Sequence, residues 1–239
     1  AIDDLADRAH DVDLLLDQNL GRRARDYARL LPPHARRLIG PDYALLRPEF
    51  AAARGASLAR RAAIGPWRHL LISLGGADPQ QATVQVLQAL ASCPLPADGT
   101  ITVVLGALAA TREAVAALLP SLPCATRLRV DVADMHSLLA EADLAIGAAG
   151  GSAWERCCLG LPSALLVLAD NQRPGTQALV DAGAALVLGE PGDLTTTLPQ
   201  ALQQMAEAGR LQAMSTAAAS VTDGQGADRV ADALLALLA

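Results

Sequence analysis

The chain has 239 residues, 52% of them apolar and 18% charged, with a net charge of −6, enough for one large domain, or one domain and part of another, around a true core. A 2% aromatic content leaves no stacking platform for single-stranded nucleic acid, and the acidic balance opposes phosphate-backbone binding, so nucleic acid is not an expected partner. All 19 basic residues are arginine, which removes Schiff-base, phosphate-loop and general-base lysine chemistry together.

The chain opens with "AIDDLADRAH", which reads like the end of a strand and its loop and predicts that the chain begins part-way into a larger protein. These first residues are acidic rather than basic and hydrophobic, and no apolar run reaches spanning length, so no membrane partner is expected and the cytoplasm is the expected compartment. "VDLLLDQN" follows as a strand, then an arginine-rich helix, then the turn-rich "LPPHARRLIGPDYALLRPEF", whose proline and glycine clusters suggest a crossing between domains.

From residue 69 the rhythm changes. Six β-rich runs, "HLLISLG", "ITVVLG", "LRVDV", "DLAIG", "SALLVL" and "AALVLG", alternate with segments of helical apolar spacing such as "QQATVQVLQALASC" and "TREAVAALLPSL". That alternation predicts right-handed crossovers and a parallel sheet covered on both faces, the doubly wound α/β class. Three further helices are expected after the last strand, ending in "DGQGADRVADALLALLA".

In such sheets ligands bind beyond the carboxyl ends of the strands. Three loops there carry polar and glycine residues: "SLGGADP", "IGAAGGSAWE" and "LADNQRPGTQ". In the first, Gly75 and Gly76 permit close approach of a ligand, while Asp78 makes a good helix N-cap and Pro79 a good first helical residue. Asp78 is anionic and would meet hydroxyl or amide groups rather than phosphate.

The second loop matches neither the dinucleotide fingerprint nor the phosphate loop. Ser152 and Glu155 stand at capping-box spacing, with Glu155 folding back to the Ser152 amide. The competing reading turns the free amides of Gly150, Gly151 and Ser152 toward a phosphate and gives Glu155 the hydroxyls of a ribose. In the third loop, Asp170, Asn171 and Gln172 suit either local turn-making or a ligand. Taken jointly the loops point to a nucleoside-diphosphate site.

Cys93, Cys124, Cys157 and Cys158 lack C-x-x-C or zinc spacing and are expected to be reduced core thiols. His10, His34, His69 and His136 are scattered without ligand spacing, so neither a metal nor another cofactor is expected.

The order "IDDLADRAH", "DLLLDQN", "GPDYALLRPEF", "SLGGADP", "IGAAGGSAWERCCLGLPS", "LADNQ" and "DGQGADR" resembles the UDP-2,4-diacetamido-2,4,6-trideoxy-β-L-altropyranose hydrolases of pseudaminic acid biosynthesis. More distantly it is similar to the peptidoglycan N-acetylglucosaminyltransferase MurG. The resemblance spans essentially the whole chain. It implies GT-B architecture, two Rossmann-like domains facing across a cleft, with residues 1–47 as the end of the first domain and the crossing, and 48–239 as the UDP-binding second domain. It further implies that the glycine-rich turn and Ser152 contact the diphosphate, Glu155 the ribose, Asn171 and Gln172 the sugar or diphosphate, and Asp223 a weaker site position.

The implied activity is metal-independent release of UDP from a UDP-sugar. A glycosyltransferase of the same architecture and a non-catalytic UDP-sugar-binding module are the alternatives. The family's first-domain motif with its catalytic histidine has no match here, and His10 lies in the wrong motif. The expected natural partner is therefore a first domain carrying that base, and this chain by itself is expected to be inactive.

Overall fold

The computed structural model describes residues 1–78 and 80–238, so Pro79, expected as a first helical residue, lies outside the described residues. Its main body is a six-stranded, all-parallel sheet, built from β3 (His69–Ser73), β4 (Thr100–Leu105), β5 (Ala125–Val130), β6 (Leu144–Ala148), β7 (Ser163–Leu166) and β8 (Ala185–Gly189). The six strands are those predicted. Their spatial order is β5-β4-β3-β6-β7-β8, so the chain winds outward one way from β3, returns, and winds the other way from β6. Ser73 lies opposite Gly147 across this reversal.

Alternation along each strand divides the core into two layers. Leu70, Ile72, Ile101, Val103, Leu144 and Ile146 face one side, where they meet α2 (Ala82–Leu90), α3 (Arg112–Leu118) and α7 (Leu194–Met205). Leu71, Val104, Ala145 and Leu165 face the other, covered by α1 (Pro48–Arg61), α4 (Met135–Glu141), α5 (Ser152–Cys158) and α6 (Arg173–Asp181). Period-two burial on both faces is what near-continuous apolar strands of a parallel sheet require.

The lysine-free composition has a structural counterpart in α1. Arg61 is 1% exposed; its Nε donates to Leu159 O at 3.0 Å, Nη1 to Ala142 O at 2.6 Å and Nη2 to Leu139 O at 2.7 Å. These are carbonyls left open where α4 and α5 end. A planar guanidinium spreads its donors over three nitrogens in a fixed fork and so reaches carbonyls from two helix ends, whereas an ammonium concentrates its three donors on one atom. Burial pushes the Arg61 group down to about 10.

The first 47 residues stand apart from this sheet. β1 (Leu14–Asp17) pairs in parallel with β2 (Arg36–Ile39), a strand the sequence reading treated as part of a crossing. The arginine-rich helix expected after β1 is instead a short 3-10 turn, Ala24–Tyr27. Its polar residues lack an apolar face to bury, so packing gives a longer helix nothing to stabilise it. Leu14, Leu16 and Leu38 form a small core with Val230 and Ala233 of α9 (Gly226–Leu238), which follows α8 (Arg210–Ala219). The last helix thus returns to the first strands. Among the described residues no helix is long and apolar enough to cross a membrane.

Candidate functional site

The reversal of strand order puts a crevice between the loops after β3 and β6, the position where open α/β sheets bind ligands. β7 is the next strand along, so the three loops singled out in the sequence leave adjacent strands at one end of the sheet. Gln80 ties the first loop to the third, its Nε2 donating to Leu168 O at 2.8 Å.

Glycine serves different purposes in these loops. Gly75 has φ +103°, a conformation that disfavours side chains, and the space a Cβ would enter is open. Gly150 and Gly151 lie outside the positive-φ region, yet among the described residues, their own chain neighbours aside, nothing lies within 4 Å of a Cβ built on either. Neither backbone conformation nor internal packing therefore demands glycine there.

The capping box is not formed. Gly151 is the N-cap of α5 and makes no side-chain cap bond. Ser152 Oγ is engaged by Arg156, whose Nη1 donates to it at 3.1 Å. The first bonds of the turn run from Ala153 N to Gly150 O and from Trp154 N to Gly151 O. The amides of Gly150, Gly151 and Ser152 have no carbonyl partner among the described residues. The Glu155 side chain is half-buried, and its carboxylate hydrogen-bonds to no group among them. Burial pushes its carboxyl above the usual carboxylate range, while Arg156 and Arg47 oppose that rise.

Two residues that no sequence motif marks, Arg47 and Arg156, thus enter the site. Arg47 precedes α1 and donates from Nη1 to Ala133 O at 2.9 Å, anchoring the loop after β5. Arg156 is buried beneath the glycine turn, its Nη2 donating to Ala148 O at 2.6 Å. Because α5 is seven residues long, the positive charge behind the turn comes chiefly from Arg156 rather than from a long helix.

Asp78 departs from its expected place. Its helix begins at Ala82, preceded by Gln81 in the left-handed region, so Asp78 is not an N-cap. It has φ +43°, is 3% exposed, and accepts from Thr111 Oγ1 at 3.2 Å and weakly from Thr83 N. The buried carboxylate braces the loop from within.

In the third loop, Gln172 Oε1 accepts from Leu168 N at 3.1 Å, closing its own turn. Asn171 lines a cavity of about 310 Å³ with Ala149 and Gly175 on one wall and Asp4, Asn19 and Arg22 on the other. That second wall is held by buried carboxylates. Asp17 accepts from Asn19 N at 2.9 Å and Arg22 Nε at 3.0 Å, and the Tyr27 hydroxyl lies 2.8 Å from Asp3 and 2.7 Å from Asp17. Asp3 and Asp17 therefore shape the wall without lining it.

Asp223 sits away from the turn, near Cys158 at the far end of α5. Its carboxylate accepts from Arg229 Nη1 at 2.8 Å and Gln225 N at 2.9 Å, and the arginine holds its acid group down at about 2. A Cβ on Gly226 would stand 2.3 Å from Ala44 O. The terminal motif packs α9 onto the early chain.

A larger cavity, about 540 Å³, opens at the opposite end of the sheet beside Arg60, Arg68, His69 and Asp143. Four of its charges pair, Arg60 with Asp143 and Arg68 with Asp98. It lies away from the carboxyl ends of the strands. The four cysteines are free, three of them buried, and burial pushes the Cys157 thiol up to about 12, far from a reactive thiolate.

Residues 127–230, under half of the chain, match the glycosyltransferase family 28 C-terminal domain. The chain is 35% identical over 63% of its length to the spore coat polysaccharide biosynthesis protein SpsG of Bacillus subtilis (strain 168), covering 43% of that protein. It is 37% identical over 44% of its length to the UDP-N-acetylglucosamine--N-acetylmuramyl-(pentapeptide) pyrophosphoryl-undecaprenol N-acetylglucosamine transferase of Xanthomonas campestris pv. campestris (strain B100), covering 26% of it. The chain thus spans less than half the length of the curated relatives it matches. Among solved structures, Acinetobacter baumannii MurG shares the fold over 92% of this chain and 65% of that one, with TM-score 0.64 and 20% identity. The fold is thus the Rossmann-like α/β fold that MurG, a GT-B protein, also has, and residues 127–230 are similar to the glycosyltransferase family 28 C-terminal domain.

Proposed function

We propose that this glycosyltransferase-like chain is the nucleotide-sugar-binding part of a GT-B protein that transfers a sugar from UDP to an acceptor. The observation that carries the reading is the glycine turn at the strand-order reversal. Gly150 and Gly151 leave open space that the fold does not need, at the place where an α/β sheet receives a phosphate-bearing ligand. In this reading the diphosphate lies over the 150–152 amides and Glu155 accepts from the ribose hydroxyls. The sugar extends past Asn171 into the cavity walled by Asn19 and Arg22. Asp78 and Asp223, each engaged within the chain, act only by holding nearby loops. The division near residue 47 into a first-domain end and a second, UDP-binding domain belongs to the same proposal.

Transfer and hydrolysis differ in what attacks the anomeric carbon, an acceptor hydroxyl or water. The hydrolase activity implied by the sequence resemblance finds no support in the comparisons. The Xanthomonas relative is by name a UDP-N-acetylglucosamine-dependent transferase, so transfer is the reading adopted. Preorganised donors beneath the leaving diphosphate suit either reaction. Because the chain by itself is expected to be inactive, the test uses it together with a first domain carrying the base: that protein is incubated with UDP-N-acetylglucosamine, with and without candidate lipid or saccharide acceptors. Acceptor-dependent release of UDP supports transfer, and equal release without any acceptor refutes it in favour of hydrolysis.

A further inference from the structure

The glycine turn is backed by a cation that no group among the described residues neutralises by direct contact. Arg156 is 3% exposed, and among the described residues no carboxylate reaches it. The adjacent Glu155 acts on it only through space. Its guanidinium spans the base of the turn, with Nη2 on Ala148 O at 2.6 Å and Nη1 on Ser152 Oγ at 3.1 Å, while the buried Nε has no partner. Arg61, equally buried, differs in having acceptors for Nε and both terminal nitrogens. A buried charge with incomplete compensation is costly unless something else supplies the missing interaction.

The fold makes deliberate room for this group. A Cβ on Gly147 would stand 2.6 Å from Arg156 Nη1, so glycine inside β6 is what lets the guanidinium lie against the strand. Since Ser152 Oγ accepts from Arg156, its own hydrogen is left to be donated outward. What it can meet there is an acceptor, and the charge behind it favours an anionic one.

Resting on the reading that the turn holds a diphosphate, we propose that Arg156 is the built-in counter-cation of that site. It acts as a positioning residue, orienting the Ser152 hydroxyl toward a phosphate oxygen and supplying the charge that a divalent ion would otherwise bring. The phosphate would lie about 6 Å from the guanidinium, two hydrogen-bond lengths through one hydroxyl. At that range, in a partly dry site, the attraction is little screened.

Calorimetric titration of the chain with UDP and with uridine, in EDTA and then in magnesium, tests this. The wild type should prefer UDP to uridine in EDTA and gain nothing from magnesium. Arg156→Met should lose about 10- to 100-fold in UDP affinity, the range for a cation about 6 Å from a diphosphate at an effective dielectric between that of water and that of a protein surface. It should keep its uridine affinity and recover part of the loss when magnesium is added. Ser152→Ala, whose side chain is only half-buried, should lose a smaller part of the UDP preference, and the double variant should bind UDP no more weakly than Arg156→Met. A wild type that binds UDP no tighter than uridine overturns the underlying diphosphate reading. A wild type that prefers UDP only with magnesium overturns the counter-cation role alone, as does a folded Arg156→Met with an unchanged UDP-to-uridine ratio. Should Arg156→Met not fold, Gly147→Ala displaces the guanidinium instead, and unchanged ratios in both Gly147→Ala and Ser152→Ala overturn the proposal.

Discussion

Replacing Glu155 by glutamine separates a ligand-binding role from a structural one. The side chain is half-buried and bonds to no group among the described residues, so the change removes no internal contact. Two opposing effects set the loss in UDP affinity. A carboxylate accepting from two ribose hydroxyls contributes roughly 1.5–3 kcal/mol, most of which an amide with one acceptor oxygen forfeits. Against this, removing a negative charge about 7 Å from a diphosphate relieves roughly 0.6 kcal/mol per unit charge at the dielectric of water. Arg156 and Arg47 already offset part of that repulsion. For the roughly two charges of a diphosphate that relief is about 1.2 kcal/mol; the acceptor term exceeds it, and the expected net loss is about 2- to 20-fold, from roughly 0.3–1.8 kcal/mol.

The melting temperature should stay level or rise slightly. Burial raises the Glu155 carboxyl, so its ionised form is disfavoured in the native state at neutral pH. The same shift gives a second signature. Wild-type affinity should fall as pH drops through a value above the ordinary glutamate range near 4.3, where the carboxylate takes up its proton. The glutamine variant should lack that step. Calorimetry with UDP and 2′-deoxy-UDP between pH 4 and 8 measures both. Unchanged UDP affinity in Glu155→Gln, or equal affinity of the wild type for the two nucleotides, would refute the ribose assignment.

Three other expectations concern the turn and the scaffold. Gly150→Ala places a methyl in space that is open in the fold; melting should be unaffected while UDP affinity drops about tenfold, given roughly 1–3 kcal/mol for forcing a group into occupied space. Equal UDP affinity would show that nothing binds over that residue. Arg61→Met strands the carbonyls that end α4 and α5, and at roughly 3 kcal/mol should lower the melting temperature by about 5–10 °C, so a shift under about 2 °C would contradict the capping role. Asp143, whose carboxylate accepts from Arg68 N at 2.8 Å and His69 N at 2.9 Å beside Arg60, is held below the usual range despite its burial. It stabilises the fold above the unfolded value near 3.9, and that contribution fades as pH falls through the lower folded value. Asp143→Asn should therefore melt lower at pH 7 with the gap closing in acid, and a gap as wide at pH 2 as at pH 7 contradicts this.

Strand identity was legible because β3, β4, β6 and β7 are runs of leucine, isoleucine, valine and alanine bounded by glycine or polar turns, which few alternatives can accommodate. The crevice was legible from the glycines that follow those strands. β2 was not: "RRLI" offers two apolar residues between proline-rich flanks, and its pairing with β1 depends on a terminal helix nearly two hundred residues away. Asp78 misled because an Asp-Pro step reads as a helix start, whereas the chain takes a left-handed turn before beginning the helix at Ala82. The capping-box spacing at Ser152 and Glu155 was real as a pattern, but a buried arginine claimed the serine first. Arg156 itself carried one signal that was passed over. A glycine within a strand marks a close approach, and Gly147 lies opposite the guanidinium that needs its missing side chain.

The central claim is that a nucleoside diphosphate lies over the turn between β6 and α5, and a crystal structure of the chain grown with UDP in EDTA tests it most directly. The account predicts the diphosphate over residues 150–152, a phosphate oxygen within hydrogen-bond distance of Ser152 Oγ, and the ribose hydroxyls on Glu155. UDP bound instead at the opposite end of the sheet, in the cavity beside Arg60 and Arg68, would contradict it.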